Sequence, residues 1–135
     1  IITDGPGTPP SPAMMKSYMI AHPTYLTGVA AGDTLPSNDQ GYGQPTVGLL
    51  FDGTLKYIHD QQTIFDNSGE DWTWIGAAAD PTKPVRIVLA YTDQAGAIGV
   101  SPQVNDLNLT VVVDDSDTYL GNEFSGEWSV TGGAP

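Results

Sequence analysis

The sequence predicts a mainly β protein: a β-sandwich, jelly-roll-like and lacking its last strands, preceded by one short α-helix and an irregular linker. Three observations carry this. From Lys56 onward, apolar segments recur at short intervals between turns of Asp, Gly, Ser and Pro, the rhythm of a sandwich or jelly roll. Leu107, Leu109, Val111 and Val113 alternate with Asp106, Asn108 and Thr110, and a period of two marks a strand with one face buried. Near the start, Met14, Tyr18 and Ala21, with Met15 and Met19 beside them, follow the three-to-four spacing of a helix with one buried stripe.

Taken in order, residues 1–10 read as loop, broken by two Gly and three Pro. Ser11-Pro12 then predicts a helix over about 12–21: a Ser cap accepts from free amides, and Pro is favoured just inside. Pro23 stops it, because the residue before a proline is pushed out of helical geometry. Residues 24–48 are irregular, punctuated by Gly and Pro, and residues 47–51 are expected to make a helical turn that buries Leu49, Leu50 and Phe51. Strands are expected over 57–65, 71–76, 85–92, 106–113 and 118–120, with a weaker one over 127–130. The 85–90 stretch reads as buried. Trp72 and Trp74, two apart, share a face. Five or six strands are few for a closed sandwich, so at least two more are expected beyond Pro135. Ile1 in first position points to a processed chain or an excised piece.

The 135 residues fit one domain with a real core. Sixteen acidic against four basic side chains give a net charge of -12. Such a surface repels nucleic acid and anionic membranes, so neither is expected as a partner. No apolar run approaches the roughly 20 residues that cross a bilayer. With no cysteine, disulfides, thiolate metal sites and cysteine nucleophiles are excluded, and the compartment stays open.

Three stretches bear on identity. They are Ser11 to Ile20, the turn Asn38-Asp39-Gln40-Gly41-Tyr42-Gly43, and Pro84 to Thr92 followed by Val104 to Leu109 and Tyr119-Leu120-Gly121-Asn122. Together, and in this order, they resemble the C-terminal region of subtilisin-like serine proteases, in the branch with a β-sandwich after the catalytic domain. The first resembles the late helix of that domain, the second its closing Gly-aromatic-Gly turn, and the third the jelly-roll domain. The resemblance implies that residues 1–48 are the edge of a catalytic domain and residues 49–135 an accessory sandwich. It implies a secreted bacterial-type endopeptidase as parent, with the upstream protease domain and a peptide or protein substrate as partners, and calcium as a possible ion. The family's Asp and His would lie upstream, and its Gly-Thr-Ser motif is not met, since Gly7-Thr8 is followed by Pro9. The triad therefore lies outside this chain, and no catalytic residue is assigned within it.

Among the residues themselves, Ser11 reads as a cap rather than a nucleophile. A nucleophile needs a base in reach, itself oriented by a third group, and His22 sits about three turns down the same helix. His59 reads as a surface or edge-strand histidine, and two isolated histidines make no zinc site. Calcium takes six to eight oxygens. Two acidic groups could offer them: Asp93 with Asn105 and Asp106 at the ends of one loop, and Asp114, Asp115 and Asp117 in a turn. The competing reading of the second is a solvated hairpin turn, which Asp and Ser favour anyway. The turn of Asp66, Asn67, Glu70 and Asp71 reads as solvated. Tyr57, Trp72, Trp74 and Tyr91 read as core, with a sugar-binding platform as the alternative. A carbohydrate- or protein-binding module without an enzyme is the alternative for the whole chain, because fold alone does not choose function.

Overall fold

The computed structural model describes residues 9–133; Gly7, Thr8 and most of the expected N-terminal loop lie outside them. The chain is mainly β, with two antiparallel sheets and little helix. In order come α1 (Pro12–Ala21), β1 (Pro23–Thr24), β2 (Gln44–Pro45), α2 (Val47–Leu50), β3 (Thr110–Val113), β4 (Asp117–Ser125) and β5 (Trp128–Thr131). β1 pairs with β2, and β3, β4 and β5 form a three-stranded meander in that order.

The helix forms where local signals place it. Ser11, in extended conformation, accepts from the Met14 amide at 3.0 Å, and Pro12 fills the first helical position. At the other end the His22 amide donates to the Met19 carbonyl, and Pro23 ends the run. Met14 is buried, Tyr18 and Ala21 half-buried, so the inward stripe is that of the 14–18–21 spacing. Met15 and Met19 are exposed.

The meander is set by its turns. β3 and β4 are joined by Asp114, Asp115 and Ser116, with Val113 opposite Asp117. Asp114 and Asp115 take φ of 51° and 57°, a left-handed conformation that Asp tolerates through its short polar side chain. β4 and β5 are joined by Gly126 and Glu127, with Ser125 opposite Trp128. Gly126 has φ 63°, the positive value that a tight hairpin loop asks of its first residue. Asn122, at φ 65°, lies in the stretch where the β4–β5 register shifts, as at a bulge.

Several expected strands are corrected. Residues 57–65, 71–76 and 85–92 run without strand pairing, and only the end of 106–113 joins a ladder, as β3. Alternation is a property of one strand, whereas a ladder needs a partner in register, and register comes from turn geometry. The alternation itself persists: Leu107, Leu109 and Val111 are half-buried while Asn108 and Thr110 are exposed. Val113, expected on the buried side, is exposed beside the turn. The 85–90 stretch is not buried; Val85, Ile87 and Leu89 are exposed, and Val88 and Ala90 half-buried. The expected turn at 47–51 is helical as α2, with Leu49 and Leu50 half-buried but Phe51 exposed. The expected strand over 118–120 lies within β4, and the weaker one over 127–130 forms as β5, shifted by one residue.

Among the described residues, Met14 and Leu35 are the buried apolar side chains and Asp60 is the buried charged one. Polar clips link the segments around them. The Leu35 amide donates to the Gly126 carbonyl at 3.0 Å, and the Gly126 amide to Thr34 Oγ1 at 3.2 Å. Tyr42 Oη donates to Asn122 Oδ1 at 2.7 Å. Arg86 Nη1 donates to the carbonyls of Ala21 and Pro23 at 3.3 and 3.2 Å. Tyr18 Oη donates to the Leu50 carbonyl at 2.5 Å.

Candidate functional site

Ser11 is held on both sides. Its hydroxyl donates to Asp60 Oδ1 at 2.5 Å, its amide donates to Asp60 Oδ2 at 2.9 Å, and its oxygen caps Met14. A nucleophile's base is thus replaced by a carboxylate that anchors a helix start, as the cap reading expects. His22 is turned back onto its own helix, with Nδ1 2.6 Å from the Tyr18 carbonyl and its ring against Tyr18.

The loop after residue 92 is closed by Asp93. Oδ2 accepts from the amides of Val104 at 2.7 Å and Asn105 at 3.2 Å; Oδ1 accepts from Asn105 Nδ2 at 2.7 Å and the Gln94 amide at 2.8 Å. These donors favour the ionised carboxylate. The Val104 amide first, then the Asn105 side chain, lower its pKa to about 2. Tyr91 Oη adds a bond to the Asn105 carbonyl at 2.7 Å. Gly96 lies against this loop's far side, where a Cβ would meet the Pro102 carbonyl oxygen at 2.7 Å. Asp106 accepts from Gln103 Nε2 at 3.1 Å and not from any of these groups. Asp93's lone pairs are thus taken by N–H donors, which does not fit a calcium ligand, and Asp106 is bonded separately.

Asp114, Asp115 and Asp117 are exposed around the β3–β4 turn. Among the described residues, Ser116 Oγ donates to Asp117 Oδ1 over a long 3.5 Å. Their geometry follows from hairpin closure, with the Ser116 amide donating to the Val113 carbonyl at 3.1 Å. Among the described residues no three His, Asp or Glu side chains are gathered as a metal-binding group. The Asp66–Asp71 turn is also self-contained: Glu70 accepts from the amides of Asp66 and Asn67 and from Asn67 Nδ2. The Asn67 amide first of all holds Glu70 below its ordinary pKa.

The feature that sequence reasoning missed is a strip of stacked rings. Tyr57 lies on Trp74 with centroids 4.8 Å apart and planes 29° apart; His59 lies on Trp72 at 4.4 Å and 27°. The two pairs link the segments on either side of the 66–70 turn by ring stacking. His59 Nε2 lies 2.7 Å from Thr63 Oγ1. Gly76 leaves room for the strip, since a Cβ there would fall 2.0 Å from Trp74 Cη2. The core expectation for these aromatics is corrected: Tyr57, Trp72 and Trp74 are 62%, 46% and 49% exposed. Rings that stack on each other need no further cover to lose part of their surface. The signal was present as Tyr57-x-His59 and Trp72-x-Trp74 flanking a turn.

Comparison with protein-family models, curated proteins and solved structures returned no match.

Proposed function

We propose that this chain is a non-catalytic C-terminal portion of a secreted subtilisin-like serine endopeptidase, which stabilises the protease domain or contacts its substrate. One observation carries the reading: the stretches that resemble that family meet in space. Tyr42, from the Gly-aromatic-Gly turn, bonds Asn122 of the Tyr119–Asn122 stretch. Arg86, from the 84–92 stretch, bonds the last carbonyl of the helix, at Ala21. The β part is then the family's jelly-roll sandwich, packed on the edge of the catalytic domain. Peptide hydrolysis belongs to a triad upstream, and Ser11, spent on Asp60 and Met14, takes no part in it.

Calcium belongs to this proposal at the Asp114, Asp115 and Asp117 turn, whose carboxylates are open to solvent, and not at Asp93. The second reading, a stand-alone carbohydrate- or protein-binding module, is favoured by the exposure of Trp72 and Trp74. Fluorophosphonate labelling of source material, with antibodies to this domain, separates the two. The expected result is a labelled band much heavier than 14.2 kDa. An unlabelled band near that mass would leave the module reading standing alone.

A further inference from the structure

We propose that the strip of Tyr57, His59, Trp72 and Trp74 is a docking surface for extended basic polypeptide, with Lys and Arg side chains seated on its half-exposed rings. The inference rests on the reading that the chain contacts its parent's substrate, and it names that substrate's chemistry.

Three observations point to this occupant. Trp and Tyr faces attract cations through the ring quadrupole, Trp most strongly, and the strip presents two Trp and one Tyr at about half exposure. The surroundings are acidic. Asp66, Glu70 and Asp71 lie in the turn that joins the two segments, and the chain as a whole carries -12. The nearest cation in sequence, Lys56, is held by Asp52 at 2.9 Å, so it does not offset them. Finally, the rings sit two positions apart on each segment, and alternate positions of an extended chain repeat at roughly 7 Å. Alternate Lys or Arg side chains of an extended peptide fall on that repeat, which suits two ring pairs two residues apart. A neutral sugar would use the ring faces but gain nothing from the charge; an acidic peptide would be repelled.

The test uses the 135-residue chain and fluorescence anisotropy of a dye-labelled peptide alternating Arg and Ala. Matched peptides with Glu for Arg, and a neutral hexasaccharide as competitor, complete the set. Expected is saturable binding of the Arg peptide that weakens on raising salt from roughly 50 to 300 mM. The double variant Trp72→Ala/Trp74→Ala should weaken it about tenfold, and Trp72→Phe/Trp74→Phe, which keeps ring faces, by less. Asp114→Asn/Asp115→Asn, removing two charges at the β3–β4 turn, should change it little. Circular dichroism reports whether each variant keeps its fold. The proposal is overturned if the Arg peptide does not saturate, if a folded Ala variant binds as tightly as the parent, or if the hexasaccharide displaces it. Because binding is read on this chain alone, such a failure leaves the endopeptidase reading to the labelling experiment.

Discussion

The Ser11–Asp60 clip joins residues 49 positions apart and is the sharpest energetic claim the fold makes. Asp60 is 5% exposed and accepts from both the amide and the hydroxyl of Ser11. Hydrogen bonds to a charged group contribute about 1.5–3 kcal/mol each, and a Ser cap about 1 kcal/mol. Ser11→Ala removes the hydroxyl, hence the cap and one of the two Asp60 bonds, at a cost of about 2.5 kcal/mol. Asp60→Ala strips both donors of their acceptor but leaves the cap on Met14, at about 3 kcal/mol. The Oγ–Asp60 bond is lost in both single variants, so the double variant should cost less than their sum, with a coupling of about 1.5 kcal/mol. Urea unfolding of the four proteins, followed by far-ultraviolet circular dichroism and compared at equal m-values, measures this. A coupling below about 0.5 kcal/mol would mean that the cap and Asp60 act independently and that the clip does not tie the helix to the rest of the chain.

Two further outcomes are expected. Asp93 should titrate at about 2, with the Val104 amide as first cause. Its bonds favour the ionised form, so the loop closure they provide is complete above the ordinary value of 3.8 and is lost as pH falls through about 2. Carboxyl-carbon NMR shifts follow the titration, and Asp93→Asn should remove that step and speed amide exchange at Val104 and Asn105. Calcium added at neutral pH should move the amide signals of Asp114 to Asp117 and leave those of Val104 and Asn105 in place. The reverse pattern would put the ion at Asp93, and no movement at either would remove calcium from the proposal.

How legible each part was depends on how local its cause is. The helix could be read because Ser11, Pro12 and Pro23 act within a few residues of themselves, and the structure places its bounds where they predict. The inward positions of Leu107, Leu109 and Val111 could also be read, since alternation survives without a partner. Pairing could not. Residues 57–65 and 85–92 carry strand-like composition, but nothing within them says which backbone will supply the other half of a ladder. Asp60 was opaque for the same reason: beside His59 it reads as a polar strand position, and its burial follows from a serine far away. The aromatic strip lies between these cases, because its two short repeats were visible while their stacking across the turn was not.

The contacts that cross residue 48 share a chemical character. Ser11 to Asp60, Tyr18 to Leu50, Arg86 to Ala21 and Pro23, Tyr42 to Asn122 and Leu35 to Gly126 are all hydrogen bonds. Buried apolar surface on the described chain is slight, with Met14 and Leu35 its buried apolar side chains. Hydrophobic burial is non-directional and tolerates sliding, whereas a hydrogen bond weakens steeply once its angle is lost. The N-terminal helix and turn are therefore tied to the β part in one orientation by directional groups rather than by a greasy interface. That arrangement leaves an apolar face of the helix, with Met15 and Met19, exposed among the described residues. The polar clips fix the angle at which the helix presents that face.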